Sequence, residues 1–250
     1  MGKRRLPPVK ISSDAIAIQP AAVSQGVKPS GPVTAEELAI INQYTPAGLP
    51  LLTADEVVSV TVLVTDNLLT YDLRKWDIAD MDGIADGIIG KPGMFNHELY
   101  DVDDTWGKCW DAVHVSTPTA PDEVLTKLPH NEAQNRAIVA SEGYHAVYAR
   151  FYMPVSDEET YTRIRFGQYD RVSLGSFSYE GLKCAGCTCA AKDIGSEDCP
   201  FYPPMPWMGL TPDKNNLVTP YLIRHGFQSA EEVSFVGAGN IPAAGIVQRG

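Results

Sequence analysis

The chain lacks any long apolar run. No stretch approaches the roughly 18–20 consecutive apolar residues that a membrane-spanning helix needs. After the basic start, Leu6-Pro7-Pro8 interrupts any signal-peptide core at once. Gly2 follows Met1, but Leu6 stands where an N-myristoylation signal carries Ser or Thr. These absences predict a soluble protein of a cytosolic compartment with no membrane contact. Positive charge is also short: 20 Lys and Arg face 31 Asp and Glu, a net charge of −11. Such a chain repels nucleic acid unless it gathers a basic patch. The only basic run is Lys3-Arg4-Arg5, which reads as a solvated tail, so no nucleic-acid partner is expected. No Gly-rich phosphate loop follows a first strand, which argues against a nucleotide-binding sheet. Cysteine is sparse and uneven: there are 5, most of them crowded between Cys184 and Cys199. In a reducing compartment, an odd and clustered set points to metal or thiol roles over a disulfide framework.

What is present is ordinary for a globular chain. The 250 residues, 44% hydrophobic and 20% charged, suffice for one good-sized core or for one domain plus a tail. Residues 1–33 are rich in Pro, Ser, Ala and Val and lack sustained periodicity. Residues 1–50 are therefore expected to be a flexible extension carrying one short helix, opened by a Thr34–Glu37 capping box. The folded domain is expected over residues 51–250. Val57 to Val64 is β-branched and partly alternating, a strand signal. Asp77 can cap a helix carrying Ile78, Met81, Ile84, Ala85 and Ile88, with Gly90 at its stop. Further strands are expected over Trp106–Val115, Ala146–Met153, Val172–Tyr179 and Val233–Val236. Further helices are expected over Asn131–Glu142 and Asp157–Phe166. Residues 184–212 form a Cys-, Pro- and Gly-rich excursion. The irregular alternation of elements predicts a mixed, mainly β protein: a β-barrel or closed sheet decorated by helices.

Three segments carry a more specific signal. They are Ile89-Gly90-Lys91-Pro92-Gly93-Met94-Phe95-Asn96-His97, then Val172-Ser173-Leu174-Gly175, then Glu232-Val233-Ser234-Phe235-Val236 followed by Ile241-Pro242-Ala243-Ala244-Gly245. In order and spacing they resemble the signatures of tailed-phage prohead maturation proteases, over about residues 55–248. That family is related in fold to the herpesvirus assemblins. The resemblance implies a herpesvirus-protease-like β-barrel surrounded by helices. It also implies a serine endopeptidase that cuts the major capsid protein, the scaffold protein and itself, inside the viral prohead in the host cytoplasm. It leaves open whether the chain works as a homodimer.

The chemistry is consistent with that resemblance. Amide hydrolysis needs a nucleophile, a base to take its proton and a group that orients the base. Ser173, His97 and Glu232 supply these types from three distant segments. Ser176 and Ser178 put further hydroxyls beside Ser173, and Glu231 stands beside Glu232 on the opposite side of an expected strand. Cys109 reads as a buried small hydrophobe. Asp101, Asp103 and Asp104 read as a solvated acidic loop, and His114, His130, His145 and His225 have no motif around them. No cofactor is required for this catalysis. Cys184, Cys187, Cys189 and Cys199 match the four thiolates of a structural zinc site, which would pin a long loop. Two other readings stay open: a catalytically inactive capsid-associated protein of the same fold, and a zinc-binding interaction module.

Overall fold

The β-branched run beginning at Val57 packs well on a pleated surface. It forms a strand in which every residue from Val57 to Asp66 is buried. A strand enclosed on both faces reads as a continuous apolar run, and this one is flanked on both edges. The computed structural model describes residues 16–17, 27–28, 30–98, 102–127, 131–175, 177–185, 221–237, 241 and 244–248. In chain order its strands are β1 Ile16–Ala17, β2 Gly31–Pro32, β3 Val57–Asp66, β4 Arg74–Trp76, β5 Pro92–Phe95, β6 Thr105–Thr117, β7 Tyr144–Pro154, β8 Val172–Gly175, β9 Ser178–Cys184, β10 Leu222–Ser229, β11 Glu232–Phe235 and β12 Gly245–Gln248. Its helices are α1 Ala35–Ile41, α2 Met81–Ile88, α3 Asp122–Leu125, α4 Glu132–Glu142 and α5 Glu158–Arg165. The protein is thus mixed α and β, with strands predominating. Among the described residues, no helix is long and apolar enough to cross a membrane.

The helices follow their local signals. Thr34 and Glu37 form the expected capping box at α1. The Asp77 side chain caps a 3-10 turn that leads into α2. Met81, Ile84, Ala85 and Ile88 of α2 are buried at helical spacing. The side chain of Asp157 likewise accepts from Thr160 N at the start of α5.

The larger sheet has nine strands, ordered β1-β12-β3-β7-β6-β5-β11-β8 with β2 added beside β3. Its long members β3, β6 and β7 are antiparallel neighbours. The short β11 then lies parallel to β5 and antiparallel to β8. The expected closed barrel is corrected here: the sheets are not closed into a barrel. The start of β8, at one end of the strand order, approaches β12, next to the other end, but among the described residues one isolated bridge, Arg171–Gly245, joins them. The bonds Val172 N→Ala244 O and Ile246 N→Asp170 O accompany it. The reason is length. β8 has only four residues, and beyond them the chain leaves this sheet.

That departure corrects a second expectation. The single strand predicted over Val172–Tyr179 is two strands in different sheets, because β9 belongs to a separate three-stranded sheet of order β4-β10-β9. Four aromatics draw the chain across. Trp76 makes edge contacts with Phe177, Tyr179 and Phe227 at centroid separations of 5.3, 5.7 and 5.9 Å. Such pairs contribute about 0.5–1.5 kcal/mol each beyond area burial.

Residues 31–41, placed by sequence in the flexible extension, are docked on the larger sheet. Gly31 and Pro32 pair with Ser59 and Val58. From α1, Glu37 reaches Arg150 of β7 at 2.7 Å, with both side chains almost fully buried. Burial works against ionisation of Glu37, yet hydrogen bonds from Arg150, Lys28 and the Thr34 backbone pull its pKa down to about 2. Removing one partner of such a buried pair costs about 3–5 kcal/mol.

Candidate active site

The parallel pairing of β5 with β11 brings together segments far apart in sequence. Phe95 lies opposite Phe235, and immediately after it the backbone turns. Asn96 and His97 both adopt left-handed conformations, with φ of 51° and 63°. Non-glycine residues reach this region at a cost, and they persist where surrounding contacts over-determine them. Those contacts are visible: Asn96 N donates to Phe235 O at 2.9 Å, and His97 N donates to Ser234 Oγ at 3.0 Å.

Alternation along β11 separates core from site. Val233 and Phe235 face the hydrophobic core, where Phe235 packs on Trp106 at 4.5 Å between ring centroids. Glu232 and Ser234 project to the other face and are nevertheless fully buried. There Glu232 Oε1 meets His97 Nδ1 at 2.5 Å, and Ser234 Oγ donates to Glu232 Oε2. A carboxylate only accepts, so Nδ1 of the neutral ring carries the proton and Nε2 holds the lone pair. The hydrogen bond that Nδ1–H donates to Glu232, with the carboxylate's negative charge, raises the His97 pKa above the usual 6.5, against an opposing effect of partial burial. Glu231 does not compete, since it pairs instead with Lys91 at 3.2 Å.

Ser173 is presented to the same face. In the ladder it stands opposite Ser234, while Gly175 stands opposite Glu232. Residues two apart in a strand point the same way, so the direction of a side chain at Gly175 reports that of Ser173. A Cβ at Gly175 would lie 1.4 Å from Glu232 Oε1 and 2.3 Å from His97 Nδ1. Gly175 is therefore the residue whose missing side chain makes room for the His97–Glu232 contact. Ser173 is half-buried, and the His97 side chain is 38% exposed. Among the described residues, Ser173 makes no hydrogen bond to the His97 ring. In resting active sites this contact is often long and tightens when substrate is in place. Ser176 lies outside the described residues. Ser178 belongs to the other sheet, where its hydroxyl contacts that of Ser229 at 2.8 Å.

Sequence reasoning left Ser234 and Gly175 without roles. The signal was present as a period of two: Glu232 and Ser234 share one face of a strand, and Ser173 and Gly175 share one face of the next.

The remaining candidates take other places. Cys109 is fully buried, and that burial pushes its thiol pKa up to about 12, which suits a packed side chain and not a nucleophile. His114 lies 2.9 Å from Asp82 and 2.9 Å from His145, and the His145 ring contacts Glu142 O at 3.0 Å. His225 is 3.9 Å from Glu180, while His130 and Asp101 lie outside the described residues. Asp103 and Asp104 sit in a short 3-10 turn. Of the four cysteines matched to zinc, Cys184 is buried at the end of β9. Cys187, Cys189 and Cys199 lie outside the described residues. Among the described residues, no group of three or more metal-ligating side chains converges. Compared with known proteins, the chain matches no family model, no curated protein and no solved structure, so the site stands on its own geometry.

Proposed function

We propose that the chain is a serine endopeptidase of Ser-His-Glu type, acting on capsid and scaffold proteins during prohead maturation. The observation that carries the reading is the 2.5 Å contact between buried Glu232 and His97, on the face to which Ser173 projects. Ser173 Oγ attacks the scissile carbonyl while His97 Nε2 takes its proton. The same proton passes to the departing amine, leaving an acyl group on Ser173. Water, deprotonated by His97, then releases the acid and restores the serine. Glu232 stays ionised throughout and stabilises the imidazolium. The raised His97 pKa predicts that acylation speeds up as pH rises through a midpoint above 6.5, because only the neutral ring accepts the proton.

The motifs imply a herpesvirus-protease-like fold. The approach of the β8 end of the larger sheet to β12, at the Arg171–Gly245 bridge, supports that kinship. Self-cleavage belongs to the same reading: the sequence places it in the extension before about Leu51, and the pairing of Gly31 and Pro32 narrows the expectation to sites N-terminal to Gly31. Gly31 and Pro32 are held in a ladder, and a paired strand is a poor guest for an extended-substrate cleft.

Co-expression with the cognate major capsid protein, followed by mass spectrometry of both chains, tests the proposal. The expected result is a shortened capsid protein and a shortened N-terminus, both lost in Ser173→Ala. Intact chains with the wild-type protein would contradict it.

A further inference from the structure

One hydroxyl stands at the centre of the site without a role in the chemistry above. Ser234 is fully buried, on the same face of β11 as Glu232 and opposite Ser173 in the ladder. Its bonding admits one assignment. The His97 backbone N–H can only donate, so at 3.0 Å it gives its proton to Ser234 Oγ. The Glu232 carboxylate can only accept, so the Ser234 hydroxyl donates to Oε2. A single side chain thus holds the carboxylate by one oxygen and the histidine by its main chain, while the other carboxylate oxygen meets the histidine ring. The three groups close a ring of hydrogen bonds. In that ring the ring–carboxylate geometry cannot change without breaking a bond to Ser234.

We infer that Ser234 is a positioning residue, one that sets the His97–Glu232 pair by binding both members at once. The inference rests on the serine-hydrolase reading for its consequence in rate, but not for its geometry. Two observations separate the role from simple packing. His97 sits in a left-handed conformation, with φ of 63°, which requires an external hold. Glu232 is shielded completely from water, so no solvent can replace the donor that Ser234 supplies to its second oxygen. With alanine at this position, the His97 N–H and a buried carboxylate oxygen both lose their partner. The carboxylate is then free to rotate off the ring.

The test combines two readouts on full-length wild type, Ser234→Ala and Ser234→Thr. Labelling by a fluorophosphonate gives the maximal inactivation rate and the probe's apparent affinity separately. Proton NMR of the His97 Nδ1–H gives its exchange with water, whether or not the protein is an enzyme. For Ser234→Ala the maximal rate should fall about 10- to 100-fold, the worth of one charge-assisted hydrogen bond. Apparent affinity should stay unchanged, and the Nδ1–H should exchange faster. Ser234→Thr, which keeps the hydroxyl, should recover most of both. A Ser234→Ala protein with wild-type Nδ1–H exchange would overturn the inference, as would a rate loss that Ser234→Thr repeats while the histidine signal stays put. If wild type takes up no probe at all, the hydrolase reading fails, and the Nδ1–H comparison alone decides the role of Ser234.

Discussion

Among the described residues, His97 and His114 each hold a carboxylate within 3 Å, and the two pairs are built differently. In the first, His97 meets a carboxylate that is 0% exposed; in the second, His114 meets Asp82, whose side chain is 87% exposed. Water competes for Asp82 and screens it, so that pair contributes little. Glu232 has no such competitor, and Ser234 occupies its other oxygen. The far ring nitrogens differ as well. Glu142 O accepts from His145 Nε2, which leaves His145 Nδ1 to accept from His114 Nε2. Both nitrogens of His114 are therefore engaged in holding β6, β7 and α2 together. Among the described residues, His97 engages only Nδ1, and Nε2 keeps its lone pair. A proximate carboxylate is thus not what distinguishes a base. A buried carboxylate combined with a spare nitrogen is.

The difference can be broken at its strongest point first. Glu232→Gln should slow probe labelling by about 10²- to 10⁴-fold, since the ring loses the partner that selects its tautomer. The carboxylate favours the imidazolium, so its removal lowers the His97 pKa and moves the acid limb of the labelling profile to lower pH. The stability profile has a matching sign. A raised folded-state pKa contributes stability that is fully present below 6.5 and lost as pH rises through the folded value, and Glu232→Gln should erase that slope. Denaturant titrations at several pH values check it.

Gly175→Ala comes next. Its Cβ would collide with Glu232 Oε1 at 1.4 Å, so the carboxylate must move. A displacement of that order in a catalytic group costs about 10²-fold, and overpacking should cost about 1–3 kcal/mol of stability. Labelling kinetics and urea midpoints measure the two effects. An alanine variant with full activity would remove the argument that Ser173 faces the histidine pair.

The smallest effects are expected at the contrasting sites. His114→Asn should leave labelling within about twofold and lower stability by about 1 kcal/mol, the worth of an ordinary hydrogen bond. Cys109→Ala should leave labelling unchanged, because a thiol with a pKa near 12 is not ionised at neutral pH. Loss of labelling in either variant, with the fold intact by circular dichroism, would reverse the comparison.

The legibility of the protein in its sequence follows the same division between local and long-range causes. β3 and α2 could be read because their signals, a β-branched run and apolar residues at helical spacing, are complete within one segment. The parallel pairing of β5 and β11 could not: β11 alternates, but β5 is a four-residue strand holding Pro92 and Gly93, with no strand signal of its own to name a partner so far away in the sequence. β10 was missed because Arg224, His225 and Gly226 interrupt its apolar pattern. The division of Val172–Tyr179 between two sheets depends on where Phe177 and Tyr179 find Trp76, a partner about a hundred residues earlier. For the site, residue types at Ser173, His97 and Glu232 were legible as chemistry. The buried hydroxyl that binds two of them emerged only with the fold.

The most direct measurement is the site of covalent attachment. Wild-type protein is treated with a fluorophosphonate and digested, and the modified peptide is sequenced by mass spectrometry. The account predicts one modified residue, Ser173, with its labelling rate climbing as pH rises through a midpoint above 6.5 and no labelling in Ser173→Ala. Attachment at Ser176, Ser178 or Cys109, or labelling that persists in Ser173→Ala, would contradict it.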